Sequence, residues 1–142
     1  MKFTCAIDIN ADIKTIQAAF FNTDDMKYYQ DGFQSKTLIR GNPGEKGAKS
    51  KLVFDKLELI ETIIVNDLPE NFLALYEHKH TTNTMHVSFK PLANNKVRYT
   101  SIVEYTKLNG LVIKLIAKVY PSMFKKQIDK WLKQFKTHVE NK

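Results

Sequence analysis

Between residues 50 and 106, apolar and polar residues alternate through stretches broken only by short turn signals, and this constrains the fold more than any other feature. Period-two patterning specifies strands, and short turns make successive strands pair as antiparallel hairpins. The turns then set the registers. With Asp55 and Lys56 as a two-residue turn, Phe54 faces Leu57, Leu52 faces Leu59 and Ser50 faces Glu61. With residues 67–70 as a four-residue loop, Val65 faces Phe72, Ile63 faces Ala74 and Glu61 faces Tyr76. With Thr82 and Asn83 as the next turn, His80 faces Met85, His78 faces Val87 and Tyr76 faces Phe89. All three registers agree on one sheet face, carrying Leu52, Phe54, Leu57, Leu59, Ile63, Val65, Phe72, Tyr76, Val87 and Phe89, with Glu61 among them. A slip of one residue turns a strand over, so this agreement supports the whole set. The strand at 96–106 has two readings. A three-residue turn near Asn94 and Asn95 puts Val97, Tyr99, Ser101, Val103 and Tyr105 inside; a two-residue turn reverses that.

The flanking segments supply the rest. Phe3, Cys5, Ile7 and Ile9 alternate as a half-buried strand. A helix follows, capped by Asn10 or Asp12 and carrying Ile13, Ile16 and Phe20 on one face. Residues 23–32 form a short second helix or turn ending near Gly32, then come a strand at 33–41 and a Gly/Pro turn at 42–49. Near the C-terminus, Phe124, Ile128, Trp131, Phe135 and Val139 recur at helical spacing, with lysines opposite. Pro121 predicts a kink or break between an apolar half-helix, 111–120, and this amphipathic one.

Composition narrows the function classes. A chain of 142 residues fits one domain, 1–142, with a sizeable core. No apolar run approaches the roughly 18 residues that span a bilayer. The first ten residues read as a strand rather than a secretory signal. Cys5 is the sole cysteine, which predicts a reducing, cytoplasmic setting and a small buried hydrophobe rather than a nucleophile. The net charge of +7 is carried by residues 107–142, where nine lysines meet only Asp129 and Glu140. Arg40 and Arg98 are the only arginines. Specific nucleic-acid sites favour the planar Arg fork, so a lysine excess predicts a solvated helix face and no specific nucleic-acid partner.

No metal and no cofactor is expected. His78 and His80 share a face without a third ligand at a known spacing, and the "GNPGEKG" stretch lacks the Lys-Ser/Thr of a phosphate loop. No Ser or Thr sits in a nucleophile elbow. One constellation remains. The registers put Glu61 opposite Tyr76 on the apolar face, with His78 diagonally adjacent. Such a group can do acid–base work, orient a polar head group, or simply satisfy a buried carboxylate.

The order of elements resembles the helix-grip fold of the START and polyketide cyclase-like (SRPBCC) superfamily. "LELIETIIVNDLPENFLALY" looks like its strand, acidic-Pro turn and strand, and "YPSMFKKQIDKWLKQF" like its last helix. The resemblance implies an α+β fold: a curved seven-stranded antiparallel sheet gripping a long C-terminal helix, with two short helices between strands 1 and 2. It also implies a cavity between sheet and helix. One helix stripe cannot fill such a curved face, so a pocket of about 300–1,000 Å³ is expected. The expected ligand contacts are Leu59, Glu61, Ile63, Phe72, Tyr76, His78, Val87, Phe89, Phe124 and Ile128; Trp131 and Phe135 are expected in the core. The leading reading is a small soluble protein binding an apolar or amphipathic, lipid- or polyketide-like molecule. The alternative is a cyclase- or dehydratase-type enzyme using Glu61, Tyr76 and His78. A chaperone-activator role, also found in the superfamily, has no partner surface singled out in the sequence. The Lys-rich C-terminal helix suits transient membrane contact.

Overall fold

The computed structural model describes residues 1–142. Its strands are β1 (Lys2–Ile9), β2 (Phe33–Arg40), β3 (Lys49–Phe54), β4 (Glu58–Asp67), β5 (Asn71–Glu77), β6 (Thr81–Leu92) and β7 (Lys96–Leu108). They form one curved antiparallel sheet in the order β1-β7-β6-β5-β4-β3-β2. Two short helices, α1 (Ile13–Phe21) and α2 (Met26–Tyr29), separate β1 from β2, joined by a 3-10 turn at Thr23–Asp25. At the C-terminus α3 (Leu111–Val119) and α4 (Ser122–Glu140) flank Tyr120 and Pro121. This is the helix-grip architecture expected from the sequence. No helix is long and apolar enough to cross a membrane.

Local chemistry explains the boundaries. The Asp12 carboxylate accepts the Thr15 N–H at 2.8 Å, capping α1. Pro121 has no N–H to continue the helix ladder, and the chain breaks there as predicted. The β6–β7 loop settles the open strand: Leu92 pairs with Lys96, leaving a three-residue turn. Asn94 and Asn95 both take positive φ (63° and 55°), which asparagine tolerates better than most residues. Val97, Tyr99, Ser101 and Val103 therefore face inward and are buried.

The hairpins differ from expectation in two places. The first register holds, with Leu52 opposite Leu59 and Ser50 opposite Glu61. In the second, Glu61 and Ile63 meet Tyr76 and Ala74 as expected, but Ile64 is a β-bulge. Beyond it Val65 faces Leu73 and leaves the inner face, while Asn66, opposite Phe72, takes its place. In the third hairpin the turn lies at residues 78–80, where His78 N–H donates to Thr81 O at 2.8 Å. Tyr76 thus meets Asn83, six residues from the expected Phe89. An even displacement preserves the faces, so Val87 and Phe89 still point inward.

Only 23 of the 142 residues are buried, so the core is thin for a chain of this length. It concentrates where α1, α2 and the second half of α4 meet the sheet. Phe20 presents its ring edge-on to Phe72, Phe89 and Tyr99, and Phe135 does the same with Tyr29 and Tyr99. Cys5 is buried in β1, where burial and then Asp129 push its thiol up to about 12. It is a packing residue and not a thiolate at neutral pH.

Candidate ligand cavity

Between the sheet, α1 and the C-terminal helices lies a cavity of about 880 Å³. Of its 38 lining residues 24 are hydrophobic, which makes it an apolar chamber with a few polar groups. Leu59, Ile63 and Phe72 line it from β4 and β5, and Phe124, Ile128 and Trp131 from α4. Trp131 stacks on Phe54 with centroids 5.8 Å apart.

Glu61 is the buried charge on this wall, 6% exposed. Its Oε2 accepts the Tyr76 hydroxyl proton at 2.7 Å, the contact expected from their cross-strand pairing. Its Oε1 is paired with Lys36 Nζ at 3.1 Å. Lys36 is absent from the sequence-derived site, for a physical reason. Strict alternation from the inward Phe33 would turn Lys36 outward, but a bulge at Gln34 puts both on the inner side, Phe33 opposite Phe54 and Lys36 opposite Leu52. No turn residue or pattern break announces that bulge.

The other predicted residues fall differently. His78 lines the cavity but sits in the β5–β6 turn, where its Nδ1 accepts the His80 N–H at 3.2 Å. It makes no hydrogen bond to Glu61 or Tyr76, so the expected three-residue constellation is a Glu–Tyr–Lys one. Burial, then His80 and Lys79, lower the His78 pKa, which keeps the ring neutral near pH 7. Val87 and Phe89 are buried but do not line the cavity; Phe20 of α1 packs edge-on over Phe89. Gln30 and Ser101, neither of them an expected ligand contact, line the chamber, as does the Trp131 indole expected in the core. Gln30 Oε1, Ser101 Oγ and Trp131 Nε1 are buried without a hydrogen-bond partner. No group of three or more His, Cys, Asp and Glu side chains is placed to hold a metal.

The chamber makes alkaline stability a test of its burial. Burial raises the pKa of Tyr29, Tyr76, Tyr99 and Tyr105, for Tyr76 with the Glu61 carboxylate adding to it. A phenol held protonated in the fold but free to ionise when unfolded contributes stability that is full below its ordinary value near 10 and is lost as pH rises beyond it. Absorbance titration should show these four ionising together with unfolding. Independent titration of all six tyrosines near pH 10, with the fold intact, would contradict it.

No family model and no curated protein matches the chain. Solved structures do. TTHA0849 from Thermus thermophilus superposes with TM-score 0.78 at 13% identity, covering 98% of this chain and 97% of that one. A conserved protein from Geobacillus kaustophilus gives 0.75 at 11%, covering 99% and 96%. Ara h 8.0201 gives 0.72 at 12%, covering 100% and 99%. The likeness is one of fold. The helix-grip architecture thus spans this chain end to end, and function must be argued from the cavity.

Proposed function

We propose that this chain binds one apolar or amphipathic small molecule, lipid- or polyketide-like, in the cavity between the sheet and the C-terminal helices. The observation that carries this reading is the chamber itself. Its 880 Å³ falls within the size of small-molecule sites, and its wall is mostly apolar, with Glu61, Tyr76 and Lys36 as a linked polar group on it. The molecule's apolar body lies against Leu59, Ile63, Phe72, Phe124 and Ile128. Its polar end meets Tyr76, Glu61 and Lys36. The Lys-rich C-terminal segment supplies a surface for transient membrane contact, and the protein works in the cytoplasm.

The Glu61–Tyr76 contact also supports a second reading, a cyclase- or dehydratase-type enzyme, because a carboxylate and a phenol can relay a proton. It ranks second because both Glu61 oxygens are already engaged and His78 is turned elsewhere.

Titration with a fluorescent fatty acid or a naphthalene dye should saturate near one molecule per chain. Tyr76→Phe should change the ranking among ligands more than it changes stability. Partition without saturation would refute the binding reading. Turnover abolished by Glu61→Gln at unchanged affinity would promote the enzyme.

A further inference from the structure

Helix α3 is apolar on two sides, and nothing in the chain covers one of them. Ile113 and Ile116 line the cavity. Leu111, Leu115, Val119 and Val112 fall within an arc of about 100° that adjoins the cavity side and turns away from it. They are 88%, 61%, 54% and 74% exposed, and no residue of α3 is buried. Tyr120 and Met123, just beyond, are also more than half exposed. A helix this apolar ordinarily sits inside a protein or against a lipid surface.

Charge identifies what covers it. Between Glu104 and Asp129 there is no acidic residue, while Lys107, Lys114, Lys118, Lys125 and Lys126 all lie there. Of these only Lys125 has an acidic partner, Asp129. Beyond Asp129 most lysines are tied down: Lys130 pairs with Asp31, Lys136 with Glu140 and Lys142, just past α4, with Asp25, leaving only Lys133 without an acidic partner. Unpaired lysines therefore flank the apolar arc on α3 itself, Lys114 and Lys118, and bracket the helix in sequence, Lys107 and Lys126. A second copy of the chain fits poorly, since a two-fold contact would set these unpaired lysines against their own equivalents. An anionic bilayer satisfies both features, taking the apolar arc into its interface while lysine stems reach up to the head groups.

We propose that the outward face of α3, centred on Leu115 and Val119, docks on anionic lipid bilayers. This sharpens the membrane contact proposed above and does not require an occupied cavity. Docking would place the cavity wall formed by Ile113 and Ile116 directly behind the lipid surface.

The test is co-sedimentation of the full chain with vesicles of phosphatidylcholine alone or with an equal part of phosphatidylserine. Binding should be at least tenfold tighter to the anionic vesicles and should weaken with salt. Leu115→Asp/Val119→Asp and Lys114→Glu/Lys118→Glu should each lower it at least tenfold. Their dye binding in solution should match the parent, which separates failure of docking from failure of the ligand reading and shows that the variants fold. Equal binding by parent and variants, or none to either vesicle, overturns the proposal. A dimer seen by light scattering and lost in Leu115→Asp/Val119→Asp would assign the face to a second copy. An acidic protein bound in place of vesicles would equally refute the bilayer.

Discussion

Phe135→Ala should destabilise the protein by about 3–5 kcal/mol, a large fraction of the roughly 5–15 kcal/mol typical of a domain. Phe135 is 1% exposed and packs edge-on against Tyr29 and Tyr99, with centroids 4.9 and 5.4 Å away. Truncation loses the transfer free energy of the ring and adds void beside a chamber that already exists. The neighbours that could relax inward are themselves held: Tyr29 by α2, and Tyr99 by pairing with Ile7 and Phe89. Urea unfolding should show a lower midpoint at unchanged slope. Leu115→Ala, on the exposed face of α3, should stay within about 0.5 kcal/mol and serves as the control. A loss under about 1 kcal/mol for Phe135→Ala would mean that α4 is not seated as described.

The second large effect is an asymmetry. Removing one partner of a buried ion pair typically costs about 3–5 kcal/mol, because the other charge stays behind uncompensated. Lys36→Ala leaves Glu61 buried with only the Tyr76 hydroxyl. The lysine side chain is 26% exposed, so water reaches this edge of the site and the expected cost falls to about 2–3 kcal/mol. Glu61→Gln should cost less than about 1 kcal/mol, since Lys36 can turn to solvent and the amide oxygen still accepts from Tyr76. In the double variant most of the Lys36→Ala loss should return. A double-mutant cycle by urea unfolding measures this, and equal costs for the two single changes would show that the carboxylate is not dependent on its lysine.

The sequence was most legible where periodicity and turn length act together. The first hairpin follows from two turn residues, and the inward pairing of Glu61 with Tyr76 follows from the next. Bulges are what it hides. At Ile64 and Gln34 an extra residue carries no distinguishing side chain, yet the first exchanges Val65 for Asn66 on the wall and the second delivers Lys36 to Glu61. The misplaced third turn did little damage to the sheet, since the error was even, but it cost the site its histidine: His78 is a turn residue, not a strand neighbour of Glu61. Val87 and Phe89 show a different limit. Alternation tells which face a residue occupies but not whether another element will cover it, as Phe20 of α1 covers Phe89.

The interruption at Tyr120 and Pro121 divides what looks like one helix into two units of very different persistence. Tyr120 N–H closes α3 onto Ile116 O at 2.7 Å, and Met123 N–H reaches only as far back as Tyr120 O at 3.1 Å. Pro121 contributes no donor between them, so α3 can melt without breaking a hydrogen bond of α4. Amide hydrogen exchange should register this directly. The amides of α3, with no buried side chain to restrain them, should exchange through local opening within the folded state. Those around Leu132, Phe135 and Val139 should wait for the whole domain to unfold.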